Sequence, residues 1–331
     1  MKKVSIIIPT YNQDKYISKA IESALAQDYS NIEIVLSDDG SKDNTLKIAK
    51  KYQKDKKFKY LRNKKNLGRV GNYHKALYDY ATGDYALFLD GDDYLIDFSY
   101  ISKAMKLMEE NDLVMVFAKQ KVYIEYKNKF VKDKMNNRLP KIIEGNWLFQ
   151  NYPKGYSIPH LSTLYNRKYA MQIGYYEKNI LSSDWESVLR IILNNKIGFI
   201  DSFVGVWRKH EKNESKSRQI CEIMNNVGYI EGPYKFCLDK NLFTKKILDK
   251  WRLKMLKRFF IKNLITALLL KDKNLYEGLS KKIQKYDLKI YKSLKTDLRL
   301  ILIKIILKSS FLTRFVFKYI IKQESYLEDV I

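Results

Sequence analysis

The sequence predicts an α/β protein: a mostly parallel, Rossmann-like sheet with helices on both faces, followed by a C-terminal α-helical region. Three observations predict it. Short apolar runs alternate with helical-period stretches through the first hundred residues, the β-α-β-α-β order of a parallel sheet. Two of those runs stop at clustered carboxylates, Ser37-Asp38-Asp39-Gly40 and Asp90-Gly91-Asp92-Asp93. They would lie at the carboxyl ends of strands, where open α/β sheets take their ligands. The last quarter then changes character: from Asn241 to Ile331 there are 22 basic and 8 acidic residues, a net of +14 out of +25 for the whole chain.

The elements follow in order. Val4–Ile8 reads as a buried strand, broken by Pro9-Thr10-Tyr11-Asn12. From Asp14 to Gln27 the apolar positions Ile17, Ala20, Ile21, Ala24 and Leu25 recur at helical spacing. Asn31–Leu36 is a second strand, and Asp43 caps a helix through Tyr52. Phe58–Leu61 is a third strand, Asn72–Tyr80 a helix, and Tyr85–Leu89 a fourth strand ending at the second acid cluster. Beyond it come a helix over Ser99–Glu110, a strand over Leu113–Ala118, and a hairpin of Val122–Tyr126 with Lys129–Val131. The aromatic-rich stretch Trp147–Tyr176 fits either an acceptor-binding wall or a packed layer. Ser183-Asp184-Trp185-Glu186 opens a helix, and Phe199–Trp207 is a last strand. Asp184 near that helix start reads as an N-cap or as a carboxylate general base.

Bulk properties narrow the function. With 331 residues, 46% of them apolar, the chain can bury a full core. Cys221 and Cys237 supply no disulfide framework, and the three histidines are dispersed, so a reducing, cytoplasmic setting fits. The apolar run after Met1-Lys2-Lys3 ends at Pro9, too soon for a signal core, and no run of eighteen apolar residues suggests a membrane span. Neither Gly-x-Gly-x-x-Gly nor Gly-x-x-x-x-Gly-Lys-Ser/Thr occurs, which disfavours a dinucleotide fold and a P-loop. Three acids around Gly91 repel one another unless a cation relieves them, and hard oxygen ligands suit Mg²⁺ or Mn²⁺ with a phosphate-bearing substrate. An aromatic, Tyr11, beside the strand-tip acids suits a base and ribose.

These motifs, in this order, resemble the family 2 glycosyltransferases of the GT-A fold. The resemblance runs from Lys3 to about Ser217. It rests on Val4–Asn12 as the opening strand, Ser23–Tyr29 as the "S-x-x-x-Q-x-Y" segment, and Val35–Thr45 as "V-x-x-D-D-G-S-x-D-x-T". Asn66-Leu67-Gly68 matches the "N-x-G" turn, Leu89–Tyr94 the "D-x-D-D" motif, and Ser183–Glu186 and Trp207–His210 the late "E-D-W-E" and "Y-R-x-H" motifs. Two positions depart: Ser183 stands where the family usually has Glu, and Trp207 where it often has Tyr.

The resemblance implies a metal-dependent, inverting transfer of a sugar from a nucleotide sugar, most simply a UDP-sugar, to a hydroxyl of a surface glycan or lipid-linked acceptor, as in polysaccharide biosynthesis. Asp184 would be the catalytic base. Pro9, Thr10, Tyr11, Asp38, Asp39, Asp90 and Arg208 would bind the donor, and Asp92, Asp93 and His210 the metal. The expected division is a glycosyltransferase domain over 1–217, with a nucleotide-sugar half to about residue 98 and an acceptor half beyond, followed, on its composition, by a basic helical region over 218–331. Two other readings compete: a sugar nucleotidyltransferase, and a basic nucleic-acid-binding protein, the latter disfavoured because acids line the cleft.

From Leu242 onwards the sequence carries no motif that points to a family. In Leu300–Lys322, Lys304, Lys308, Arg314, Lys318 and Lys322 share one helical face, with Ile301, Leu302, Ile305, Ile306, Phe317 and Ile320 around the remainder. That is the composition of a helix lying in a membrane interface, so an anionic membrane surface is an expected partner and the inner face of the cell membrane an expected location.

Overall fold

The apolar run Val4–Ile8 continues through Pro9 to Thr10 as the central strand β1 (Val4–Thr10), buried along its whole length. The computed structural model describes residues 1–132, 139–211, 213 and 219–308, and its chain divides into two compact units, Met1–Asn213 and Glu214–Ile331. In the first unit, β1 is flanked in parallel by β2 (Ile32–Asp38) and by β4 (Tyr85–Phe88), and β3 (Phe58–Arg62) extends the parallel set beyond β2. Side-chain alternation sends Ile6, Ile8, Ile34, Leu36 and Leu87 to one face. There α1 (Ile17–Leu25) and α4 (Tyr100–Asn111) cover them with Ile17, Ile21, Ile101 and Met105. On the other face α3 (Gly68–Lys75) stacks Tyr73 on Phe88, ring centroids 5.2 Å apart. A short helix, α2 (Thr45–Ala49), follows the first acid turn, and Thr45 N–H bonds to Asp43 Oδ1 at 3.0 Å.

The rest of the sheet is mixed. Its order is β3-β2-β1-β4-β9-β6-β10-β5, where β5 is Tyr94–Leu95, β6 Met115–Ile124, β9 Thr163–Asn166 and β10 Lys196–Lys209. β9 lies antiparallel between β4 and β6, and β10 runs parallel to β6. At the margins, β7 (Lys129–Lys132) pairs with β6, and β8 (Ile142–Glu144) with β10. Around them lie α5 (Gly145–Asn151), α6 (Arg167–Gln172) and α7 (Ser183–Ile191).

Three expectations need correcting. The strand expected over Leu113–Ala118 and the hairpin arm from Val122 are one strand, β6, unbroken by Lys119-Gln120-Lys121. Lys119 is tolerated because it pairs with Asp201. The helix expected from Asn72 begins at Gly68, and its continuation Ala76–Tyr80 is a wider turn. Strands β5, β8 and β9 have no counterpart among the expected elements.

In the second unit the helical reading holds: α8 (Ile220–Asn225), α9 (Gly228–Asp239), α10 (Lys245–Leu269), α11 (Lys273–Tyr286), α12 (Leu288–Lys295) and α13 (Leu298–Lys308). Leu248, Trp251, Leu256, Phe260, Leu279 and Ile283 form its interior. No helix among the described residues is long and apolar enough to cross a membrane. Arg314, Phe317, Lys318, Ile320 and Lys322 of the expected interfacial helix lie outside the described residues.

Candidate active site

The tips of β1, β2 and β4 meet. Asp39 N–H bonds to the Thr10 carbonyl at 2.9 Å. Gly91 packs so closely on the same residue that an added Cβ would sit 3.1 Å from Thr10 Oγ1 and collide with Gln13 Oε1. Thr10 therefore stands between the two acid clusters, and the parallel pairing of β1 with both neighbours explains why.

On the β2 side, Asp38 is wholly buried. Its Oδ1 accepts from Ser41 N–H (2.8 Å) and its Oδ2 from Tyr60 O–H (2.6 Å). It shapes the turn, whose Gly40 has φ +82°, and offers no exposed atom to a ligand; Pro9 is buried as well. Asp39 Oδ1 accepts from Asn63 Nδ2 (2.9 Å) and Leu67 N–H (2.8 Å). Beside this turn opens a cavity of about 600 Å³ lined by Tyr11, Gly40, Arg62, Asn63 and Asn66 among others. Tyr11 is 45% exposed there, as a stacking platform for a planar ring must be.

On the β4 side, Asp90, Asp92 and Asp93 bring one oxygen each within 4.8 Å of one another. Burial and then the charges of Asp92 and Asp90 push the Asp93 carboxyl well above the usual carboxylate range, against the Arg208 N–H that supports its ionised form. Such a set of hard oxygens, gathered within 4.8 Å of one another, fits a divalent cation.

Arg208 and His210 come to these acids because β5 follows them immediately and pairs with β10, Tyr94 opposite Val206. Arg208 N–H bonds to Asp93 Oδ1 (2.8 Å) and its Nε to the Asp92 carbonyl (3.0 Å). His210 Nε2 lies 2.8 Å from Asp92 Oδ2. The Arg208 guanidinium is held among the rings of Tyr16, Tyr94 and Tyr123, and Tyr16 also stacks on His210 with centroids 4.8 Å apart.

Asp184 is the second residue of α7. The N-cap position belongs to Ser182, so capping does not account for it. Among the described residues Asp184 has no hydrogen-bond or ion-pair partner. Glu186, two residues on, is the opposite case: buried, it takes Arg190 Nε (3.0 Å) and Nη2 (2.8 Å) and pairs with Lys178 Nζ (2.9 Å). Asp184 makes no direct contact with the acid cluster. Burial, and after it the neighbouring tyrosines and the Asp184 charge, raise the Tyr176 hydroxyl well above its usual range; that hydroxyl lies 3.3 Å from His160 Nδ1, and His160 Nε2 lies 3.8 Å from Asp90 Oδ1.

Sequence reasoning missed His160, Tyr73 and Tyr176. Tyr73 O–H donates to Asp90, and His160 packs on Phe88 and Tyr73. His160 is far from the other histidines along the chain, yet strand β9, three residues on, returns it to the tip of β4. Of the aromatic stretch, Tyr152, Tyr165, Tyr175 and Tyr176 are buried in a packed layer, while Trp147 remains exposed.

A family model described as glycosyl transferase family 2 matches residues 5–174. The chain belongs to this family. The matched stretch holds both acid clusters and His160; Asp184, Arg208 and His210 lie beyond it. An uncharacterized glycosyltransferase of Methanocaldococcus jannaschii is 30% identical over 224 residues, 65% of this chain and 73% of that protein. A GalNAc(5)-diNAcBac-PP-undecaprenol beta-1,3-glucosyltransferase of Campylobacter jejuni is 41% identical over 98 residues, 29% of this chain and 31% of that protein. The chain spans less than half the length of several curated relatives it matches. In fold, it is similar to the crystal structure of S. aureus TarS 1–349 in complex with UDP-GlcNAc: TM-score 0.70 and 21% identity, covering 88% of this chain and 83% of that one. The likeness is to a GT-A fold, a curled and partly parallel sheet with helices C-terminal to it. Membership in glycosyl transferase family 2 sets aside the nucleotidyltransferase and nucleic-acid-binding readings.

Proposed function

We propose that this chain transfers a sugar from a nucleotide sugar, a UDP-sugar in the simplest case, to a hydroxyl of a glycan or lipid-linked acceptor, with inversion at the anomeric carbon. The observation that carries the reading is the meeting of both acid clusters on Thr10, which sets a base-sized platform at Tyr11 at the same strand tip as a carboxylate cluster suited to a cation that would bridge to a diphosphate. Tyr11, Thr10 and Asp39 would hold the base and ribose, with Pro9 and Asp38 setting the backbone beneath them. Asp90 and Arg208 would approach the ribose and diphosphate.

Asp92 and Asp93, with His210, would hold Mg²⁺ or Mn²⁺. When bound, such an ion neutralises the charge that builds on a departing diphosphate. The chain's own residues would do the rest. The Asp184 carboxylate takes the proton of the acceptor hydroxyl as its oxygen attacks the anomeric carbon. The bond from that carbon to the diphosphate oxygen breaks, and its electron pair leaves with the nucleotide. One displacement needs one base and no second nucleophilic carboxylate. Asp184 suits this role because no donor among the described residues competes for it.

A cytoplasmic location at the inner face of the membrane accords with a lipid-linked acceptor. Leu298, Leu302 and Ile305 of α13 are exposed beside Lys304 and Lys308, the pairing that favours an anionic lipid interface. Substituting aspartate at Leu302 and Ile305 in the full chain should lower binding to phosphatidylglycerol vesicles at least tenfold. The reading as a whole is tested with a nucleotide-sugar panel plus Mn²⁺, scoring donor binding and hydrolysis. A chain that binds no nucleotide sugar under these conditions does not have this function.

A further inference from the structure

Helix α3 touches three parts of the candidate site. It starts after the turn whose Leu67 N–H bonds to Asp39 at 2.8 Å. At its second residue, Arg69 Nη2 donates to the Leu181 carbonyl, and to the Ile180 carbonyl at 3.4 Å. Four residues on, Tyr73 O–H donates to Asp90. Arg69 and Tyr73 share a helix face by their spacing, and the guanidinium carbon lies 5.5 Å from the Tyr73 ring centroid.

The carbonyls that Arg69 takes belong to the segment leading into α7, four and three residues before Asp184. Elsewhere α7 is held through its buried Glu186–Arg190 pair, and Arg190 Nη2 donates to the Gly174 carbonyl at 2.7 Å. Ser182, its N-cap residue, makes no side-chain capping bond. The entry to the helix is therefore tied to the nucleotide half by a side chain 111 and 112 positions away in sequence.

We propose that Arg69 is a positioning residue that fixes the Asp184 segment relative to the donor turn, so that α3 sets the spacing between nucleotide and base. The inference rests on the reading of Asp184 as the base. Misplacing a catalytic group by about an ångström costs up to roughly a hundredfold in rate.

Arg69→Met keeps the aliphatic stem on Tyr73 and removes every donor; Arg69→Lys keeps one donor nitrogen. In the full-length protein, Arg69→Met should lower kcat for transfer by roughly 10- to 100-fold and leave the Kd for UDP within about twofold. Hydrogen exchange of the 180–186 amides should rise about tenfold or more, while that of 188–192 stays as in the unsubstituted chain. Arg69→Lys should recover at least about a third of kcat, since one donor still reaches Leu181. Unchanged exchange over 180–186 in Arg69→Met overturns the tie whatever the activity, and an unchanged kcat overturns its use in catalysis. A loss of UDP affinity matching the loss of kcat would make Arg69 a donor contact and also end the proposal. A fully active Asp184→Asn would instead sink the base reading alone, leaving the exchange result to decide the tie.

Discussion

The two ends of the parallel strands treat buried acid in opposite ways. At the amino-terminal end, Glu33 of β2 is almost wholly buried and surrounded by donors: Lys3 Nζ at 2.8 Å, Lys59 Nζ at 2.7 Å, Ser5 Oγ at 2.6 Å and Thr82 N–H at 2.7 Å. Burial alone would raise its pKa, but these donors outweigh it and hold the carboxyl at about 2. At the carboxyl end, Asp90, Asp92 and Asp93 face one another, and burial with their mutual repulsion pushes Asp93 the other way. A buried acid provided with its own donors is a fastener. Acids that face one another, here two half-buried and one buried, form a socket suited to a cation in addition to the Arg208 and His210 side chains beside them. The contrast recurs on α7, where Glu186 is fully matched and Asp184 has no partner among the described residues.

The sharpest way to break this comparison is to remove acids from the socket. Asp92→Asn and Asp184→Asn should each lower transfer by roughly a thousandfold or more, read as initial rates with a competent donor, with melting temperatures no lower than that of the unsubstituted chain. Wild-type rates in either would show that these acids are not the working ones. The fastener should behave in the reverse manner. Glu33→Gln should cost about 2–3 kcal/mol of stability at neutral pH, measured by denaturant titration, with unchanged turnover per folded molecule.

The sign follows from the depressed pKa. The Glu33 contribution is present in full above the unfolded value of 4.5 and is lost as pH falls toward about 2. The substituted chain should therefore lose less stability than the unsubstituted one across that window. Asp93 carries the opposite sign, because a carboxyl raised in the folded state destabilises once it ionises. In metal-free protein, Asp93→Asn keeps an oxygen for the Arg208 N–H and should raise the melting temperature at neutral pH by a few degrees. The ion itself gives a further test: Mn²⁺ at a hundred times its Kd should stabilise the unsubstituted chain by about 2.7 kcal/mol and Asp92→Asn by much less. Equal stabilisation of both by Mn²⁺ would place the ion outside the acid cluster.

The parallel half was legible because its signal is local. Val4–Ile8 and Ile32–Leu36 are near-continuous β-branched and leucine runs, and each ends in turn-forming polar residues that also do the site's chemistry. The acid motifs were legible for the same reason. What escaped was set by partners distant in sequence. β9 is four residues long, and nothing in Thr163–Asn166 marks it apart from the strands it enters between. β6 reads as broken at Lys119–Lys121, because only the fold supplies Asp201 to the first lysine. Glu186 and Asp184 belong to one short motif, and no feature of the sequence alone tells which is matched and which is left open. His160 lacks any local pattern; its place beside Asp90 is a consequence of topology.

The two-residue strand β5 has an effect on the order of assembly. Asp93 meets Arg208 across 115 positions, and Asp92 meets His210 across 118. A growing chain could form the Thr10–Asp39 turn soon after its first hundred residues are made, but the acids beyond β4 would stay uncovered until β10 arrives and zips onto Tyr94-Leu95. Loop closure over such lengths is slow, so the carboxylate cluster should be the last part of the cleft to mature during synthesis.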